Sequence, residues 1–184
     1  MIIISTNTLN KTKWLKFKEK IFIDKANIEK AWEYIERNNN RKAAVIIPKD
    51  SKQGKTVLIK QFRVPFEKEI IEFPAGLIDS GETPEQTAYR ELFEETGFKA
   101  LKTISISPKL CTSPGLTNEV VYIIEVEIDS TKQHDQTTEG SEDIEVLIID
   151  TSNLKAELNK LSKNQYIIDS KVWSYALSES SNII

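Results

Sequence analysis

The stretch from Thr83 to Gly97 commits part of this chain to a helix with two unlike faces, and the rest of the fold must accommodate it. Thr83 is a hydroxyl N-cap, Pro84 occupies the first helical position, where no amide hydrogen is needed, and Gln86 can close a capping box. Gly97 supplies the stop. At about 100° per residue, Ala88, Tyr89, Leu92, Phe93 and Thr96 share one arc, while Arg90, Glu91, Glu94 and Glu95 share the opposite one. One face is expected to be core and the other acid.

Short β-rich runs surround this helix. AAVIIP and TVLIKQF, separated by the turn-like KDSKQGK, read as a hairpin or as neighbouring strands, and EIIEF, EVVYIIEVEI and DIEVLIID read as further strands. SNLKAELNKL and IDSKVWSYALSE have helical spacing, the first with Thr151 or Ser152 as N-cap. Near the start, residues 11 to 24 alternate like a strand. Residues 27 to 38 fit a helical stripe through Ile28, Ala31, Trp32 and Ile35, yet Trp32 and Tyr34 also alternate, so local pattern leaves that element open. Strands first with helices interspersed predict one mixed α/β (α+β) domain.

Composition excludes whole classes of chemistry. A single histidine, His134, and a single cysteine, Cys111, cannot build a zinc cage, a disulfide framework or a redox dithiol. His134 lies in a polar stretch and reads as a solvated loop residue; Cys111 reads as packed. With 25 basic and 28 acidic side chains, the net charge of -3 opposes a nucleic-acid partner. No run approaches the ~18 apolar residues of a membrane span, and MIII lacks the flank and length of a signal sequence, so a cytoplasmic protein is expected.

Glu91, Glu94 and Glu95 stand at i, i+3 and i+4, about 5 to 6 Å apart at Cβ, and repel one another unless neutralised. Oxygen-only donors without histidine or thiol suit a hard divalent cation, magnesium above all, with manganese or calcium as alternatives. Arg90 can hold one of these acids by a bidentate contact. The polar run from Asp129 to Glu142 has no apolar side chain to anchor it, and long loops of that kind are usually functional or disordered.

Gly76, five residues, Glu82, seven residues, then Arg90-Glu91-Leu92-x-Glu94-Glu95-x-Gly97-Phe98 resembles the Nudix box at every defined position. The resemblance implies an α/β/α sandwich around a mixed sheet and metal-dependent hydrolysis of a diphosphate linked to another moiety, with Mg²⁺ or Mn²⁺. It further implies Ala75 (through its carbonyl), Glu91 and Glu95 as metal ligands, Glu94 as a shared or outer ligand, and Glu82 as a brace.

KQFR at Lys60 to Arg63, EFPAGLIDSGE at Glu72 to Glu82, SPGLTNE at Ser113 to Glu119 and WSYAL at Trp173 to Leu177 resemble the ADP-ribose and ADP-sugar pyrophosphatase branch. That likeness implies residues 1 to 40 as N-terminal strands that form a homodimer, and 41 to 184 as the hydrolase domain. It turns the open element at residues 27 to 38 into a strand. Trp14 and Trp32 are implied to clamp adenine, one from each subunit. Arg37 and Arg63 are implied to meet ribose or phosphate oxygens, Leu77 to face the cleft, and Pro114 and Gly115 to mark the branch. Glu142 is implied to approach the attacking water, with Glu139 or Glu95 as rivals; Glu142, Glu95 and Arg90 form the expected catalytic set. The expected reaction takes a nucleoside diphosphate sugar such as ADP-ribose to AMP and a sugar phosphate, with no nucleic-acid or membrane partner. The alternatives are a hydrolase that clears oxidised or other nucleoside diphosphates, and a nucleotide-binding regulator without turnover.

Overall fold

The computed structural model describes residues 1–138 and 143–181. Strands β1 (Ile2–Lys11), β2 (Leu15–Ile23) and β3 (Glu29–Arg37) form a separate antiparallel sheet in the order β1-β2-β3. The residues 27 to 38 are thus strand, as the family likeness implies, and β1 extends the expected β region to the start of the chain. The turn before β3 is closed by Asp24, whose Oδ1 accepts from the amides of Ala26 and Ile28, and Asn27 there takes a φ of 60°.

The main sheet follows with β4 (Ala43–Asp50), β5 (Lys55–Arg63), β6 (Lys68–Glu72) and β7 (Ala75–Leu77), then helix α1 (Pro84–Thr96). β8 (Lys102–Ile106), β9 (Leu110–Cys111), β10 (Val120–Glu127), β11 (Ile144–Asp150), α2 (Leu154–Lys163), β12 (Ile167–Ile168) and α3 (Ser170–Ser181) complete it. β10 runs parallel to β4, with Val121 opposite Ala43, and antiparallel to β8. Alternation along β4 divides the core. Ala44 and Ile46 pack with Ala88 and Leu92 of α1, while Val45 and Ile47 pack with Leu154 and Leu158 of α2 and Val172 and Tyr175 of α3. The domain is therefore the expected α/β/α sandwich.

The route of β5 opens the cleft. β11 pairs with β5 from Lys55 to Gln61 along one edge, so β4 and β6 must share the other. β4 holds only Lys55 and Thr56, and β6 holds Ile59 to Arg63. The two partners diverge, and β7 pairs with the far half of β4, Ala44 opposite Gly76. AAVIIP and TVLIKQF are accordingly neighbours at their turn alone.

Three local expectations are corrected. Thr151–Asn153 is a 3₁₀ turn whose first amide donates to Gly54 O at 2.8 Å, so α2 starts after Asn153 and neither Thr151 nor Ser152 caps it. Cys111 is exposed, because β9 is a short edge strand. The two-faced reading of α1 fails at its last turn, where Glu95 is 4% exposed and Phe93 is only half-buried.

Candidate active site

The capping box at Thr83 and Gln86 forms as the spelling demands, with both reciprocal bonds present and Gly97 in the left-handed region at φ 74°. This helix sets its acids under β7. An ideal Cβ on Gly76 would lie 1.8 Å from Glu91 Oε1, so only glycine lets the strand pass this close to that carboxylate. Glu95 Oε2 accepts from the amide of Ala75 at 3.0 Å, which explains why an acid tolerates burial there.

Arg90 is the hub. Its Nε and Nη2 donate to the two oxygens of Glu82 at 2.9 and 3.0 Å, Nη1 donates to Glu91 Oε1 at 2.8 Å and Glu94 Oε2 at 3.0 Å, and Nη2 also reaches Leu77 O at 3.5 Å. All five N–H donors of the guanidinium are thereby spent on protein acceptors. Arg90 is placed to hold carboxylates, the bidentate contact its guanidinium fork is suited to. Its pKa is raised, chiefly by Glu82. Glu82 in turn falls from 4.5 to about 2, held down first by Arg90, then by the Thr87 hydroxyl at 2.7 Å and the Asp79 amide.

A cavity of about 1190 Å³ opens in front of these residues, somewhat larger than the ~300 to 1,000 Å³ usual for small-molecule sites. Ala75, Gly76, Leu77, Arg90, Glu91 and Glu94 form one wall, and Arg37 and Arg63 reach it from β3 and β5. Arg63 forks onto Glu72 at 2.7 and 3.1 Å, and Arg37 Nε pairs with Glu119 Oε1 at 2.8 Å. Trp14, Trp32, Pro114 and Gly115 stand outside this wall. Trp32 Nε1 nevertheless donates to Gly115 O at 3.1 Å, and Ile35 N donates to Leu116 O, so β3 carries Trp32 onto the Pro114–Gly115 loop. Trp14 is 69% exposed at the other end of the β2–β3 ladder, next to Leu15, which opposes Arg37, whereas Trp32 opposes Lys20. Glu142 and its rival Glu139 lie outside the described residues.

Sequence reasoning passed over Arg41, Thr137 and Thr138, which also line the cavity. Arg41 donates to Ile78 O at 3.2 Å and Leu77 O at 3.3 Å and pairs with Asp79. No local signal marks it, since its partners, two backbone carbonyls and the Asp79 carboxylate, lie 36 to 38 residues along the chain.

The group facing the Gly76 cradle is the Glu91 carboxylate, an oxygen donor of the kind that fits a hard divalent cation. Among the described residues no three acidic side chains converge on one point in metal-holding geometry, and Arg90 occupies the space between Glu91 and Glu94. Among the same residues no helix is long and apolar enough to cross a membrane.

A capped carboxylate helix packed under a glycine strand, on an α/β/α sandwich, defines a hydrolase of one class: the NUDIX domain matches residues 39–166, and the chain belongs to the Nudix hydrolase family. Hydrolases of this family are metal-dependent. The chain is 31% identical to an ADP-sugar pyrophosphatase of Mus musculus over 96% of its own length and 86% of the relative's. It is 34% identical to an ADP-ribose pyrophosphatase of Saccharomyces cerevisiae, over 89% of this chain and 76% of that one. A crystal structure described as an ADP compounds hydrolase shares the fold with a TM-score of 0.76 at 22% identity, covering 95% of this chain and 89% of that chain.

Proposed function

We propose that this hydrolase cleaves the diphosphate of ADP-ribose or a related ADP-sugar to AMP and a sugar phosphate, ribose 5-phosphate in the first case. The observation that carries the reading is the cavity itself, with carboxylates on one wall and arginines on another. A bare acid wall repels a diphosphate, and a hard cation removes that repulsion. Mg²⁺, replaceable by Mn²⁺, is the ion assigned, held by Glu91, Glu95, the Ala75 carbonyl and Glu94; when bound it screens the phosphates and acidifies water. Arg90 and Glu82 keep these acids oriented. Arg37 and Arg63, each already held by a carboxylate, present guanidinium edges to ribose or phosphate oxygens. Leu77 supports the substrate on the cleft wall. Glu142 is the base or water positioner in this reading, with Glu139 and Glu95 as its rivals.

The adenine is stacked between Trp14 of one subunit and Trp32 of another in a cytoplasmic homodimer, with Pro114 and Gly115 shaping the loop behind Trp32. Two features support this. Within one chain the tryptophans are about six strand residues apart, roughly 20 Å, too far to sandwich one base. The N-terminal sheet exposes Ile2, Ile3, Ile4, Leu15 and Phe17, an apolar surface of the kind a second copy covers. Residues 1 to 40 are thus assigned to dimerisation and base binding, and 41 to 184 to hydrolysis. In the reaction, the oxygen of water joins one phosphorus, the bridging P–O bond breaks, and the bridging oxygen leaves with the other phosphate. Incubation with ADP-ribose and Mg²⁺ in ¹⁸O-labelled water tests this. AMP and ribose 5-phosphate, with label in one of them, are expected; no turnover of ADP-ribose or ADP-sugars overturns the assignment.

A further inference from the structure

The last carbonyls of a helix have no partner within it, and many helices satisfy some of them with the chain that follows directly. In α1, among the described residues, only Phe93 O is met that way, by Gly97 N at 2.8 Å. The remaining acceptors are served by a segment far along the chain. Glu94 O accepts from Thr137 N at 3.0 Å and Gly97 O from His134 N at 3.0 Å. Thr96 O accepts from Gln133 Nε2 at 3.0 Å and Glu95 O from Gln136 Nε2 at 2.5 Å. The fit is close: a Cβ on Gly97 would come within 1.9 Å of His134 O.

Gln136 does more than cap. An amide nitrogen has two N–H groups, and the same Nε2 also reaches Ile144 O at 3.2 Å, the first residue of β11, which is paired with Gln61 of β5. One side chain therefore ties the turn of α1 that carries Glu94 and Glu95 to the sheet. The neighbouring bond from Thr137 N to Glu94 O sets Thr137 and Thr138 on the cavity wall beside Glu91 and Glu94.

We infer that Gln136 is a positioning residue for the carboxylate helix, fixing the pose of Glu94 and Glu95 against Ala75 and holding the threonine wall beside them. Gln133 caps the same helix without reaching β11, so it is the matched control. This rests on the hydrolase reading above for its consequence in turnover, though not for its consequence in metal binding.

The test compares Gln136→Met with Gln133→Met, both at exposed positions where methionine keeps the side chain's length and removes the carboxamide, and with it the N–H donors that reach the carbonyls. Three quantities are read: the Mn²⁺ dissociation constant of the substrate-free protein by electron paramagnetic resonance, the melting temperature, and kcat and KM for ADP-ribose. Gln136→Met is expected to weaken Mn²⁺ binding and lower kcat by about tenfold, with KM nearly unchanged, a size typical of losing a residue that orients a metal ligand. Gln133→Met is expected to lower the melting temperature by a similar amount while leaving Mn²⁺ affinity and kcat within about twofold of the wild type. Equal effects of the two variants on Mn²⁺ affinity, or no effect of Gln136→Met on it, overturn the inference. If the wild type turns over no ADP-sugar, the proposed function fails alone, and the Mn²⁺ comparison still decides the role of Gln136.

Discussion

Glu91 and Gly76 are in mutual contact to a degree that no other residue at position 76 permits: Oε1 of the acid lies 1.8 Å from where a first side-chain carbon would be. The obstruction is the end of a flexible side chain, and Gly76 has an ordinary backbone φ, so a methyl group there displaces the carboxylate and spares the strand. Gly76→Ala is expected to melt close to the wild type and to lose turnover by about 10- to 100-fold, the cost of a misoriented metal ligand. Thermal melts and steady-state kinetics on the same preparation check both halves; retained turnover refutes the assignment of Glu91.

The Arg90 hub predicts an acid sensitivity with a definite sign. Glu82 is depressed from 4.5 to about 2 in the fold, so its contribution to stability is complete above pH 4.5 and is lost as pH falls through about 2. In the unfolded chain the carboxyl protonates first, which is what drains the stabilisation across that window. Urea midpoints between pH 5 and 2 should fall for the wild type and fall less steeply for Glu82→Gln. Parallel curves dismiss the pairing. Arg90→Lys should keep the fold and lose most activity, since an ammonium cannot bridge Glu82, Glu91 and Glu94 together.

Local chemistry made much of this molecule legible. The capping box of α1, the stop at Gly97 and the β-rich runs that became β4, β5, β6, β10 and β11 depend on neighbours in sequence, and they formed as spelled. Burial of Glu95 did not show in the helical pattern, because it depends on the Ala75 amide twenty residues away. Gln133 and Gln136 looked like parts of a solvated polar run for the same reason: the carbonyls they serve lie 37 and 41 residues earlier. The placement of Trp14 against Trp32 likewise depends on strand register, which alternation alone cannot supply.

Glu95→Gln separates charge from shape at the buried acid. Glutamine keeps an oxygen that can accept the Ala75 amide, so the packing of α1 under β7 should persist and the melting temperature should change little. The negative charge is gone, and with it the attraction for a hard cation. Hydrolysis should drop by at least about 100-fold and Mn²⁺ binding should weaken in parallel. Full activity in this variant rejects the metal role of Glu95, whatever the other acids do.

The distance between the two tryptophans leads to a complementation experiment. Trp14→Ala and Trp32→Ala should each raise KM by about tenfold and change kcat less, because stacking on a base is gained equally in the ground and transition states. If each adenine site takes Trp14 from one subunit and Trp32 from the other, a mixed dimer of the two variants holds one site with both rings and one with neither. Random pairing of the two chains after unfolding and refolding together then restores about a quarter of the sites to wild-type KM. Progress curves of the mixture should resolve that high-affinity fraction, and each variant refolded alone should lack it. A mixture that behaves as the simple average of its parts shows that the rings do not meet across a dimer.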